Sequence, residues 1–219
     1  MQSKGKSDGP SKSGPHRDMT VTDDEIREKY LERAIREINS LTHDLHACEG
    51  CPRGNLMPVI GSGHPQADVF LLKHAATVSE IEEGVAFYGR AGAALMKSLK
   101  RLDIDPLAIY GTLCVKCPLQ DPSLADDACV ARVVEELAIV QPKIVVPMGE
   151  IAVSILNGLG VPMSSPLRYV PGELQRFTPS IDALVVPDID QCLDDEASKR
   201  RFWAAFRRLG DWYAALPPY

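Results

Sequence analysis

The sequence predicts a three-layer αβα fold around a central, mainly parallel four-stranded sheet. Two observations carry this expectation. Apolar runs of strand length alternate with stretches of helical periodicity, the order that builds βαβ units with right-handed crossovers. The chain has 219 residues, 45% of them hydrophobic, which suffices for one core of this kind and shows no internal repeat.

The elements follow in order. Thr22 and Glu25 have capping-box spacing, and Ile26, Tyr30, Leu31, Ala34, Ile35, Ile38, Leu41 and Leu45 then recur at helical spacing toward Cys48. A loop with Pro58, Gly61 and Gly63 leads to a strand at "DVFLL" (68–72). Glycines at 84, 89 and 92 punctuate "GVAFYGRAG" before an amphipathic helix ending near residue 102. Then come a strand at "AIYGTLCV", a helix over about 126–140, a strand at "KIVVPM", a helix through "EIAVSILNGL", a strand at "ALVV" and a last helix over about 196–215. The expected organisation is a disordered tail, residues 1–20, and one domain, residues 21–219. The tail is Ser, Gly, Lys and Pro without an apolar period, so it cannot offset the entropy of ordering. A basic arm touching nucleic acid is the lesser alternative for it.

No apolar stretch approaches the ~20 residues of a membrane span, and no apolar block marks a secretory signal. A cytoplasmic protein with no membrane partner is the expectation. The net charge of -6 excludes a molecule that is basic as a whole, although local patches remain open.

Six cysteines in a reducing compartment point to metal ligands or small buried hydrophobes rather than disulfides. Two Cys-x-x-Cys pairs stand out, Cys48 with Cys51 and Cys114 with Cys117. Side chains three apart on a strand point to opposite faces, so Cys114 and Cys117 cannot both serve one site unless the strand has ended. If Cys117 alone joins Cys48 and Cys51, the fourth ligand is Cys129 or Cys192. Such a set suits a [4Fe-4S] cluster at least as well as zinc.

The stretches "CEGCPRGNLMPVIGSGHPQADVFLL", "GVAFYGRAG", "YGTLCVKC" and "QPKIVVPMGEIAV", in that order, resemble the iron-sulfur (family 4) uracil-DNA glycosylases. The resemblance covers roughly residues 45–213. It implies a uracil-DNA glycosylase-like fold, DNA as partner, and a [4Fe-4S] cluster on Cys48, Cys51, Cys117 and Cys129. It also implies that Phe87 stacks a base extruded from DNA, with Leu113 and Ala75 beside it, and that Gly89, Arg90 and Gly92 meet the DNA backbone.

The reactive positions depart from the family pattern. "KHAAT" (73–77) stands where the family has Gly-Glu-x-Pro-Gly, so His74 replaces the acid that positions water. Leu113 stands in place of the asparagine that pairs with uracil, and a leucine can neither donate nor accept a hydrogen bond. Asp188 replaces the histidine that steadies the departing base, and Asp194 an arginine. These two belong to "VVPDIDQCLDDE", which places five acids, Asp188, Asp190, Asp194, Asp195 and Glu196, just past the last strand. Like charges ~4 Å apart at an effective dielectric of ~20 repel by about 4 kcal/mol, roughly a thousandfold in rate. Ordinary uracil excision is therefore not expected.

Two functions remain open. One is a DNA glycosylase for another lesion, with Asp188 as acid or charge stabiliser and His74 handling water. The other is an inactive binding module whose acidic loop faces a protein partner. A divalent cation on Asp188, Asp190 and His74 is a weaker idea. For Asp194, Asp195 and Glu196 a helix start favoured by its dipole is sufficient explanation. Trp203 is expected to anchor the last helix in the core, and Cys192 to be a small buried hydrophobe.

Overall fold

The computed structural model describes residues 23–217, so the expected tail and the capping role of Thr22 lie outside the described residues. A long helix α1 (Asp23–Ala47) leads to the short strand β1 (Ser62–Gly63) and the first central strand β2 (Val69–Ala75). Helices α2 (Val78–Glu83) and α3 (Arg90–Arg101) precede β3 (Ile109–Val115), which is followed by α4 (Asp127–Val140), β4 (Ile144–Met148) and α5 (Glu150–Gly158). The chain closes with β5 (Leu174–Arg176), β6 (Asp182–Leu184), the single turn α6 (Ile189–Cys192) and α7 (Glu196–Ala214).

The sheet order is β1-β3-β2-β4-β6-β5. Its centre, β3-β2-β4-β6, is parallel throughout and consists of the four expected strands. Two antiparallel edges, β1 and β5, are added. At two and three residues they are too short to show a period, which is why the sequence did not announce them.

Alternation along each strand sorts the core into two layers. Val69 and Leu71 of β2, Ile109 and Leu113 of β3, and Ile144, Val146 and Met148 of β4 face α3 and α7, where Leu95, Leu99, Phe202, Phe206 and Leu209 cover them. Phe70, Leu72, Tyr110, Cys114 and Val145 face the other way, onto Val133 and Leu137 of α4 and Ala152, Val153 and Leu156 of α5, with Ile38 of α1 packed alongside. This is the three-layer αβα arrangement. Trp203 is half-buried rather than a core anchor, because Phe202 and Phe206, one turn apart on α7, point inward in its place.

The second layer holds a polar knot. Glu136 of α4 accepts hydrogen bonds from the Tyr110 hydroxyl (3.1 Å) and Thr112 Oγ1 (3.0 Å) and pairs with Lys116 Nζ at 2.8 Å. Lys116 also donates to the Leu113 carbonyl at 2.8 Å. Every member is buried, so each group needs these partners. Burial and the Glu136 charge push the Tyr110 phenol up. The knot fixes the end of β3 against α4, which sets where Cys117 and Cys129 meet.

The approach to α3 is built on missing side chains. A Cβ at Gly92 would lie 1.8 Å from the Phe87 carbonyl oxygen, and one at Gly111 2.6 Å from the Phe87 ring. Gly92→Ala is therefore expected to destabilise by about 1–3 kcal/mol, as overpacking does. The usual helical preference for alanine over glycine, ~1 kcal/mol, has the opposite sign. Urea unfolding of the variant measures which term wins.

Candidate functional site

Three of the four expected cysteine ligands come together. The sulfurs of Cys51, Cys117 and Cys129 all lie within 4.8 Å of one another and all three residues are buried. They arrive from the loop after α1, the end of β3 and the first turn of α4. Cys48 is half-exposed, one turn of loop away, and lies outside that group. The Asp126 N–H points at Cys51 Sγ (3.3 Å), and the Cys117 and Cys129 sulfurs are 3.7 Å apart. The hydrogen bond with Cys117, together with backbone N–H groups, draws Cys129 down to about 5, whereas Cys117 is pushed up by the same partner and by burial. An all-sulfur donor set supplied with N–H donors fits zinc or an iron-sulfur cluster and suits no hard cation. Cys114 faces the opposite layer, in the apolar core, as alternation requires.

Phe87 occupies a strained and enclosed place. Its φ of 60° is unusual for an aromatic residue, and such strain, about 1–3 kcal/mol, persists only where surroundings impose it. Glu80, fully buried on α2, accepts the Phe87 N–H at 2.5 Å and the Thr77 N–H at 2.7 Å. Lys73, 1% exposed, places Nζ 2.7 Å from Glu80 and 2.5 Å from Asp190 of α6. The same ammonium lies over the Phe87 ring, 5.6 Å from its centroid. Sheet register sets Lys73 between Leu113 and Met148, all on the layer that faces Phe87. The residue is 9% exposed, with Gly111 against its ring, Lys73 over it, and a cavity of about 190 Å³ bordered by Phe87, Gly92 and Gly111. Leu113 is fully buried in the same core, and Ala75 lies half-buried at the end of β2.

His74 and Asp188 share a different space. Together with Gly149, Tyr169, Arg201 and Arg208 they line a cavity of about 910 Å³ at the carboxyl ends of β2, β4 and β6. This is where open α/β sheets bind ligands. Phe87 and Leu113 are not among its walls. Burial lowers the pKa of His74, and the Asp188 charge opposes that shift without overcoming it. Asp188 caps α6, its Oδ1 accepting from the Asp190 and Gln191 N–H groups at 2.9 and 3.4 Å. The structure thus brings His74 and Asp188 to one cavity, and places Phe87 and Leu113 in the core cluster, with Lys73 over the Phe87 ring.

The model of one protein family, described as the uracil DNA glycosylase superfamily, matches residues 60–207. The chain belongs to the uracil DNA glycosylase superfamily. A relative from Pyrobaculum aerophilum described as a type-4 uracil-DNA glycosylase is 28% identical over 131 residues. That match spans 56% of this chain and 66% of the relative's length. The superfamily segment includes the four parallel strands, the Phe87 loop, Cys117, Cys129 and the acidic stretch, while Cys48 and Cys51 precede it.

Superfamily membership supports a DNA glycosylase-like function, and the acidic stretch past β6 lies within the matched segment. Every acid in it has an internal use. Asp188 caps α6, Asp190 holds Lys73, and Asp194 pairs with Arg90 at 2.6 Å. Asp195 caps α7 through the Ser198 N–H at 2.7 Å, and Glu196 pairs with Lys199 at 2.6 Å. Arg90, expected at a phosphate, is thereby engaged within the protein, although both it and Asp194 remain exposed. Gly89 opens α3 at φ 78°, and Gly92 packs on Phe87.

Lys73, Glu80 and Tyr169 escaped the sequence reading, and Asp190 was read there without its partner lysine. Thr77-x-x-Glu80 is a legible capping box. Lys73 and Asp190 are 117 positions apart, and no local signal links them. Removing the cation leaves Glu80 buried without its partner charge. Lys73→Met should cost about 3–5 kcal/mol in urea unfolding, and Lys73→Met combined with Glu80→Gln should recover much of that loss.

Proposed function

We propose that the protein is a divergent DNA-base glycosylase-like iron-sulfur protein that acts on or binds damaged DNA through the His74–Asp188 cavity and does not excise uracil by the family route. The observation that carries this reading is the difference between the two spaces. Phe87 has Lys73 over its ring and borders a cavity of only about 190 Å³, while His74 and Asp188 line an open cavity of about 910 Å³, large enough for a nucleotide.

The cavity's chemistry suits a damaged nucleotide. Tyr169 offers a ring for stacking, and Arg201 and Arg208 offer cations for phosphate. His74, kept neutral at pH 7 by its lowered pKa, can accept a proton from water. With Oδ1 committed to α6, Asp188 has Oδ2 left to face positive charge developing on the sugar as the base departs. The same carboxylate disfavours an anionic leaving base, so bases that leave protonated or neutral fit best.

Cys51, Cys117 and Cys129, with Cys48 as fourth ligand, would hold the [4Fe-4S] cluster. The cluster would act as a structural tie between the loop after α1, β3 and α4. The all-sulfur, buried donor set and the similarity to a type-4 enzyme support this assignment. A second reading, a DNA-binding module without catalysis, is favoured by the covered Phe87 ring alone.

A panel of uracil, hypoxanthine, alkylated and oxidised bases in single and double strands tests the proposal. Cleavage of a non-uracil lesion, with uracil left intact, is expected. Uracil cleavage at family-like rates overturns the reading, and binding without any cleavage selects the noncatalytic alternative. Where a lesion is cleaved, the rate should rise with pH below the ordinary histidine value of ~6.5 and level off by pH 7, because a lowered pKa leaves His74 neutral there. His74→Gln should remove that acid limb and slow cleavage by about 10²–10⁴.

Anaerobically purified protein should contain iron and inorganic sulfide in roughly equal amounts. Cys51→Ser should lose both and Cys114→Ser should keep them. Stoichiometric zinc without sulfide rules the cluster out.

A further inference from the structure

A second cavity, about 500 Å³, runs between α3 and α7 on the far side of α6 from the first. Its charge is unlike that of the chain as a whole. Lys97 and Arg101 of α3 and Lys199 of α7 edge it, Arg90 stands at one end, and no Asp or Glu is among the described residues that line it. These cations belong to a protein whose net charge is -6. Lys97 and Arg101 are both exposed and one helical turn apart, which sets their side chains ~5–6 Å from each other along one face. The Lys199 charge is shared only with exposed Glu196, an i,i+3 pair of about 0.3–0.5 kcal/mol that a phosphate can displace.

The groove also offers a flat aromatic surface. Trp203 forms part of the wall, half-buried, with the Arg101 guanidinium 5.7 Å from its ring centroid. Ala93, Ala94 and Ser98 line the groove beside it with small side chains, so a base that stacks on the indole does so by displacing the exposed Arg101 guanidinium from the ring toward a phosphate. Closely spaced cations beside a half-exposed indole are the chemistry of a site that follows a nucleic-acid strand, with phosphates on the cations and a base on the ring. An acidic peptide would use the cations and gain little from Trp203.

Position adds an independent argument. Cys192, at the end of α6, lines both this groove and the large cavity of His74 and Asp188. The two cavities are thus adjacent, with α6 between them, so a strand with one nucleotide in the first would cross α6 to reach the groove. We infer that the α3–α7 groove binds the phosphodiester backbone of a single nucleic-acid strand, with Lys97, Arg101 and Lys199 taking phosphates and Trp203 stacking a base. The path into the large cavity rests on the reading proposed above, whereas binding by the groove does not.

The experiment uses the full chain and a fluorescent, unmodified single-stranded oligothymidylate, titrated at several salt concentrations. Lys97→Ala with Arg101→Ala should weaken binding tenfold or more. The same variant should make the slope of log affinity against log salt shallower by about 1.4, as expected for two lost phosphate contacts on a single strand. Trp203→Ala should weaken binding with little change in slope. Lys100→Ala, an exposed charge that does not line the groove, controls for net charge and should bind the unmodified strand as the native protein does. Far-UV circular dichroism checks that each variant is folded.

Native-like binding by the Lys97/Arg101 variant overturns the groove and leaves the cavity reading standing. Groove-dependent binding of the plain strand with no lesion recognised in the panel supports the groove and removes the cavity reading. No oligonucleotide binding at all overturns both. Displacement of the strand by polyglutamate together with a silent Trp203→Ala also overturns the proposal, in favour of an acidic-peptide site.

Discussion

The Lys73 ammonium, held between the Glu80 and Asp190 carboxylates in the interior, is the interaction on which the arrangement of this molecule depends. It joins three pieces of chain with no backbone pairing to one another: the end of β2, the α2 turn that holds Phe87, and α6 beyond the last parallel strand. Lys73 and Glu80 are both out of water, with Asp190 partly exposed at the edge, so removing the lysine leaves the buried Glu80 facing the cost of desolvation unpaired. The strained φ of Phe87 is tolerated for the same reason, since its N–H has no better acceptor than Glu80.

From this constraint the division of the functional region follows. In a superfamily whose fold presents ligands at the carboxyl ends of its strands, the aromatic ring of this chain is covered by its own lysine, and open space lies one strand further along. Substitutions that look like independent losses in sequence are compatible in space. Leu113 is a core residue beside an enclosed ring, Asp190 balances the lysine, and Asp188 starts the short helix that carries Asp190. The acidic stretch is largely a set of helix caps and ion pairs, of which the Asp190–Lys73 pair is partly buried and the Asp194–Arg90 and Glu196–Lys199 pairs lie at the surface.

The sequence showed most of the fold and part of the site. The four parallel strands were legible because they are buried on both sides and read as apolar runs between helices. Alternation along β3 separates Cys114 from Cys117 in the sequence alone, and the structure places them in different clusters. The edge strands and α6 were hidden because they are only two to four residues long. Lys73 was hidden for another reason. A lysine ending an apolar strand ordinarily reads as the chain reaching solvent, and its burial depends on a carboxylate 117 residues away. Asp190 was read as one of five acids and a weaker candidate for holding a divalent cation, since its partner lysine could not be seen from its neighbours.

The central claim is that the Phe87 ring is covered by a charged, internally paired lysine and is closed to a base. Nitrogen-15 NMR of the Lys73 ammonium, recorded as uracil-containing single-stranded DNA is added, tests it most directly. A slowly exchanging ammonium signal that stays unchanged through the titration is the predicted result. Loss of that protection, or a shift that tracks uracil rather than an unmodified strand, would show a base displacing the lysine from the ring and would contradict the account.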